Sequence, residues 1–172
     1  MRRLLTAAAV LAPVLAMSQT PPTPPPAPCS TAHARAFDFW LGRWEVYDPK
    51  GEKAGDSRIE AVLGGCVVQE HWRGRGGVEG MSFNSTDAQG RWMQHWVDNR
   101  GGRLTLAGGL QGASMVLQTL REAGAPIGAA PALDRITWTP LPGGAVRQLW
   151  EQSADGGSTW RVLFDGKYVP RL

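Results

Sequence analysis

Turn signals cut this chain at short, regular intervals, and that punctuation restricts its fold more than any other feature. Asp48-Pro49-Lys50-Gly51, Gly64-Gly65, Gly74 to Gly77 and Asp87-Ala88-Gln89-Gly90 come first. Asn99-Arg100-Gly101-Gly102, Gly108-Gly109, Pro142-Gly143-Gly144 and Asp155-Gly156-Gly157 follow. These residues tolerate positive φ, pre-set a turn, or hydrogen-bond their own backbone. Ten short runs lie around them: Trp40–Tyr47, Ser57–Leu63, Cys66–Arg73, Gly80–Thr86 and Arg91–Asp98, then Arg103–Ala107, Ser114–Leu120, Leu133–Thr139, Ala145–Gln152 and Thr159–Tyr168. Strands at this spacing with short connections predict an antiparallel meander. Closure alone removes its exposed edges, so the expected fold is all-β, a single barrel of about ten strands. A short helical stretch around Thr31 to Phe37 precedes it. With 22 Gly and 13 Pro among 172 residues, a long-helix or coiled-coil protein is excluded.

Upstream of the barrel the sequence reads as an address and a tether. Arg2 and Arg3 supply a positive start, Leu4 to Leu15 a short apolar run, and Ala16-Met17-Ser18 a small-residue cleavage site. Residues 1–18 are therefore expected to be a signal peptide, too short and Pro-interrupted to span a bilayer. No Cys stands at the cleavage site to carry a lipid. Residues 19–30 follow as a Pro-rich linker in extended polyproline conformation. The domain proper is expected over residues 31–172, in the periplasm or secreted. Cys29 and Cys66 are then expected to form a structural disulfide, since an even pair in an oxidising compartment without C-x-x-C spacing favours bridging over redox or metal chemistry.

The formal charge of +3 overstates the basicity of the mature chain. Taking Arg2 and Arg3 from the 18 basic residues leaves 16 against 15 acidic ones. A nucleic-acid partner gains nothing from that balance.

Phe37-Asp38-Phe39-Trp40-Leu41-Gly42-Arg43-Trp44-Glu45-Val46 carries L-G-x-W at the opening of the first long strand. The segment resembles the G-x-W start of lipocalin-like (calycin) barrels, where the Gly bends the strand and the Trp plugs the closed end. The wider set also looks like a family of exported bacterial proteins with an F-D-F-W-x-x-G-x-W start. It includes Gly64-Gly65-Cys66, Glu70-His71-Trp72, Trp92 through Asp98, Arg135 through Pro140, and Trp150-Glu151-Gln152-Ser153. That resemblance implies a calycin-type barrel and no established reaction. Nitrobindin-type barrels are a related comparison, and they hold haem through a His on a late strand. Here His33, His71 and His95 all precede residue 100, so no haem or other cofactor is expected.

Period-two alternation splits each strand into two faces. In Arg91–Asp98 one face is Trp92, Gln94, Trp96 and Asp98; the other is Arg91, Met93, His95 and Val97. Val68, Glu70 and Trp72 share a face of the third strand, and Ser82 and Asn84 a face of the fourth. Rings alternating with polar groups are how small-molecule cavities are lined. The candidate ligand-binding residues are Glu70, Trp72, Gln94, Trp96 and Asp98, joined by Trp138 and Trp150. Arg147 would answer the carboxylates if its strand faced the other way. A one-residue slip in register would swap every face, leaving the Trp residues as plain core and Glu70 and Asp98 as rim charges.

Catalytic and metal signatures are thin. Glu70 and Asp98 offer a carboxylate pair for acid–base work, but no G-x-S-x-G elbow exposes a nucleophile. The His positions lack zinc spacing, and the Gly-rich stretches sit in hairpins rather than before helices, which argues against a phosphate cradle. Ser153-Ala154-Asp155-Gly156-Gly157-Ser158-Thr159-Trp160 resembles an Asp-box hairpin, a turn device without functional meaning in single copy. Three functions stay open: a barrel binding a partly hydrophobic small molecule, an enzyme using Glu70 or Asp98 in the same pocket, and a structural envelope interaction protein. Binding leads, with no membrane span and no specified oligomeric state.

Overall fold

The computed structural model describes residues 29–120 and 132–171. The segments expected to be a signal peptide and most of the Pro-rich linker, together with residues 121–131 and the final residue, lie outside the described residues. Ten strands form the wall: β1 (Gly42–Tyr47), β2 (Lys53–Val62), β3 (Val67–Gly74), β4 (Glu79–Thr86) and β5 (Trp92–Asp98), then β6 (Arg103–Gln111), β7 (Ser114–Thr119), β8 (Leu133–Pro140), β9 (Val146–Ser153) and β10 (Arg161–Pro170). Each pairs antiparallel with the next, and β10 closes onto β1, with Val46 opposite Tyr168. The fold is a closed ten-stranded meander barrel, so every strand edge is paired.

The turns form where the sequence places Asp and Gly. In the β1–β2 hairpin Asp48 accepts backbone N–H groups of Lys50 and Glu52 at 2.9 Å, and the same device recurs at Asp87 and Asp98. The Asp155 hairpin folds as its motif implies. Asp155 accepts the Thr159 backbone N–H at 2.8 Å, and the Trp160 indole N–H donates to the Gly157 carbonyl at 3.1 Å. One turn expectation is corrected. Gly108-Gly109 lies inside β6, and the hairpin comes later, at Gly112 with φ of 61°. The reason for Gly108 is crowding, since a Cβ there would sit 2.1 Å from the Val116 carbonyl oxygen of β7.

The two barrel ends differ in what covers them. Residues 31–37 form a run of turns leading into a 3-10 turn at Asp38–Trp40, in place of a regular helix. This segment crosses the end where β1 begins and plugs it. Phe37 and Trp40, both fully buried, stack at 5.0 Å and pack against Trp138 at 5.1 and 5.3 Å; Trp92 meets Phe37 edge-on at 5.6 Å. Gly42, at φ of 145°, lets β1 turn in beneath the plug, and the Trp44 indole N–H donates to the Trp40 carbonyl at 3.0 Å. The Cys29–Cys66 disulfide ties the segment to the β2–β3 connection. Arg35 adds a bond to the Gly65 carbonyl and His33 one to the Gly90 carbonyl. Among the described residues no helix is long and apolar enough to cross a membrane.

Candidate functional site

At the opposite end, where the β1–β2, β3–β4, β5–β6 and β9–β10 hairpins stand, the barrel holds a cavity of about 280 Å³. Residues of six strands, β3, β5, β6, β8, β9 and β10, line it, because alternation turns every second side chain to the axis. Trp72, Trp96, Trp150 and Phe164 form the aromatic part of the wall, with Leu104 and Ile136 between them. All four rings are half-buried, whereas those of the plug are closed off. Glu70, Gln94, Gln148 and Tyr168 form a polar floor deeper in the barrel.

The rings are held from behind. The Trp96 indole N–H donates to Asp98 at 3.1 Å, and the Trp150 indole N–H to Asp134 at 2.7 Å. Trp72 and Phe164 meet edge to face at 5.8 Å. Trp96 lies against the Gly80 backbone, where a Cβ would stand 2.2 Å from the ring. With these constraints Trp96 and Trp150 offer mainly ring carbon to the cavity.

The floor is a directed hydrogen-bond chain. Gln94 donates to Asn84 at 3.0 Å, Asn84 to the Ser82 hydroxyl at 3.1 Å, and Ser82 to Glu70 at 3.1 Å. Ser57 donates to the other Glu70 oxygen at 2.9 Å. The Tyr168 hydroxyl bridges Glu70, at 3.4 Å, and Gln148. Glu70 is 4% exposed with no cation among these partners. Burial pushes its carboxyl from 4.5 to about 7, and the bonds from Ser57, Ser82 and Tyr168 oppose that rise without cancelling it. Burial and the neighbouring Glu70 charge push the Tyr168 hydroxyl well above its ordinary value, so it stays a donor.

Six of the seven residues singled out from sequence, Glu70, Trp72, Gln94, Trp96, Asp98 and Trp150, line this one cavity. Trp138 does not. It faces inward on β8 but sits one end too far along, buried in the plug against Phe37 and Trp40. Glu70 and Asp98 share no hydrogen-bond partner. Asp98 is a turn residue, held below the usual carboxylate range first by the Gly102 amide, then by the Arg100 amide and the Trp96 indole. Arg147 points outward and pairs with Asp165 at 2.7 Å. His95 is exposed, beside Thr105.

Sequence reasoning did not select Ser57, Asp134, Phe164 or Tyr168. Tyr168 reaches Glu70 across 98 positions of sequence, a contact that only closure creates. The one local signal for Ser57 was its place two residues before the apolar Ile59 on an alternating strand.

A larger concavity, about 760 Å³, spreads over the outside of β1–β5 around Arg43, Arg58, His71 and Met81. Arg58 pairs there with Glu60 at 3.1 Å and Arg73 stands 3.9 Å from Glu79. Among the described residues no three His, Cys, Asp or Glu side chains gather as a metal set. No family model matches the chain, and no curated protein matches it. Fold and site together define a closed meander barrel with one end plugged and an aromatic cavity at the other.

Proposed function

We propose that this protein is exported to the periplasm or the cell exterior and binds a small, partly apolar molecule in the end cavity. It then belongs with the exported proteins sharing the F-D-F-W-x-x-G-x-W start. The observation carrying this reading is the cavity itself, walled by four half-buried rings over a floor of bonded polar groups. A barrel needing only stability would fill that space, since empty volume forfeits packing energy. The disulfide fits an oxidising compartment.

The enzyme reading draws on one feature, the buried Glu70 carboxyl lifted to about 7. It lacks a second group, since the oxygens of Asp98 are committed to its own turn and to Trp96. Tryptophan fluorescence titrated with a panel of hydrophobic metabolites tests binding. Saturable quenching that weakens in both Trp96→Leu and Glu70→Gln is expected; affinities unchanged in both variants would remove the reading. A ligand recovered chemically altered would transfer it to catalysis.

A further inference from the structure

The chain carries a formal charge of +3, yet its cavity has the opposite sign. Glu70 stands in the floor and Asp98 at the rim, and among the described residues no Lys, Arg or His side chain lines the space. Nearby basic groups are engaged elsewhere. Arg147 is bound to Asp165 on the outer wall, and Arg135 is bound to Glu151 and lies 4.0 Å over the Trp160 ring. A buried carboxylate without a counter-charge is costly. This fold keeps an ionisable carboxyl there anyway, bonded by Ser57, Ser82 and Tyr168, at the base of a space walled by tryptophan.

The wall complements the same charge. Trp96 and Trp150 commit their N–H groups to Asp98 and Asp134, so their electron-rich ring faces are what remain for an occupant. An anion entering would meet two like charges. A neutral hydrocarbon would use the rings but gain nothing from Glu70, whose burial favours the protonated form.

We propose that the occupant is an organic cation, a quaternary ammonium or protonated amine with a compact apolar body, seated with its charge among the indole rings and above the Glu70 carboxylate. The assignment rests on the end cavity being a ligand site and specifies the chemistry of that ligand. It also makes binding pH-dependent. Ser57 of β2, Ser82 of β4 and Tyr168 of β10 face Glu70, with Gln148 of β9 behind Tyr168. Of these only Tyr168 titrates, and it stays protonated. Asp98 stays ionised in its turn. Glu70, lifted to about 7, is therefore the group whose proton an arriving cation displaces.

Three related probes test this on the unaltered protein by calorimetry: phenyltrimethylammonium, its uncharged isostere tert-butylbenzene, and 4-tert-butylbenzoate, which adds an anionic group to the isostere. The cation should bind at least about tenfold more tightly than the isostere, and the anion most weakly. Cation affinity should fall by roughly tenfold from pH 8 to pH 6, while that of tert-butylbenzene stays level. Glu70→Gln should abolish the pH dependence and most of the cation preference yet still bind tert-butylbenzene. An isostere binding as tightly as the cation, or an anion binding best, would overturn the cation assignment and leave the binding barrel standing. If none of the three binds saturably, the ligand-site reading itself falls. Because the probe comparison uses the native chain, it stands even if the variant fails to fold.

Discussion

The two ends of this barrel spend the same amino acid on opposite tasks. At the plugged end Trp40, Trp92 and Trp138 are fully buried, and their indole N–H groups have no hydrogen-bond partner among the described residues. At the open end Trp96 and Trp150 are only partly buried and have their N–H groups bound to carboxylates. Packing density outweighs a missing bond where rings close on one another, since a buried tryptophan contributes a large apolar area. Where rings line a void, a bond at the N–H edge takes over the job of fixing them. In this barrel three packed indoles without N–H partners form the seal with Phe37, and two indoles bonded to carboxylates line the cavity.

The sharpest break of that contrast is truncation. Trp138→Ala should cost about 3–5 kcal/mol of stability, as a large cavity opens in the plug. Trp96→Ala, at a ring that is only partly buried and borders an existing cavity, should cost less, about 1–2 kcal/mol. Equal shifts in the guanidinium midpoint would dissolve the distinction between the ends. The disulfide ranks next. It closes a separation of 37 residues, so Cys29→Ser with Cys66→Ser should lose roughly 3–4 kcal/mol in the chain-entropy model. If the plug depends on that tie, near-ultraviolet circular dichroism of its indoles should weaken with it.

Glu70 supplies a smaller effect at the boundary between the ends. Its carboxyl is raised from 4.5 to about 7 in the folded chain. The resulting stability is complete below pH 4.5, erodes as the pH rises and is gone above about 7, a loss of about 3 kcal/mol at most. Urea unfolding should therefore show a lower midpoint at pH 8 than at pH 5, and Glu70→Gln should flatten that slope. A midpoint that rises with pH in the native chain would contradict the burial of Glu70. Smallest is Gly80→Ala. Its methyl group would displace Trp96 from its seat, changing emission and ligand affinity, with stability falling by roughly 1 kcal/mol.

The barrel was legible because Asp, Gly and Pro mark its hairpins, and because alternation survives in β3, β4 and β5. Val68, Glu70 and Trp72 point inward together, as do Ser82 with Asn84 and Gln94 with Trp96. Alternation fixes a face but says nothing about height along the axis. That is why Trp138, correctly placed inside, was assigned to the cavity rather than the plug. Height depends on the stagger between strands and on the N-terminal segment folding over one end, and both are tertiary outcomes. The Tyr168–Glu70 contact was hidden for the same reason. Gly108 misled differently, because a glycine that makes room for a neighbouring backbone looks in sequence like one that makes a turn.

On the binding proposal, one set of tryptophans receives an occupant while another only seals the barrel. Nitrogen-15 NMR of the eight indole N–H groups, followed during titration with phenyltrimethylammonium, separates the two sets in one experiment. The signals of Trp72, Trp96 and Trp150 should move together and saturate, while those of Trp40, Trp92 and Trp138 hold still. Movement confined to the plug, or no saturable movement at the open end, would overturn that division between the two sets.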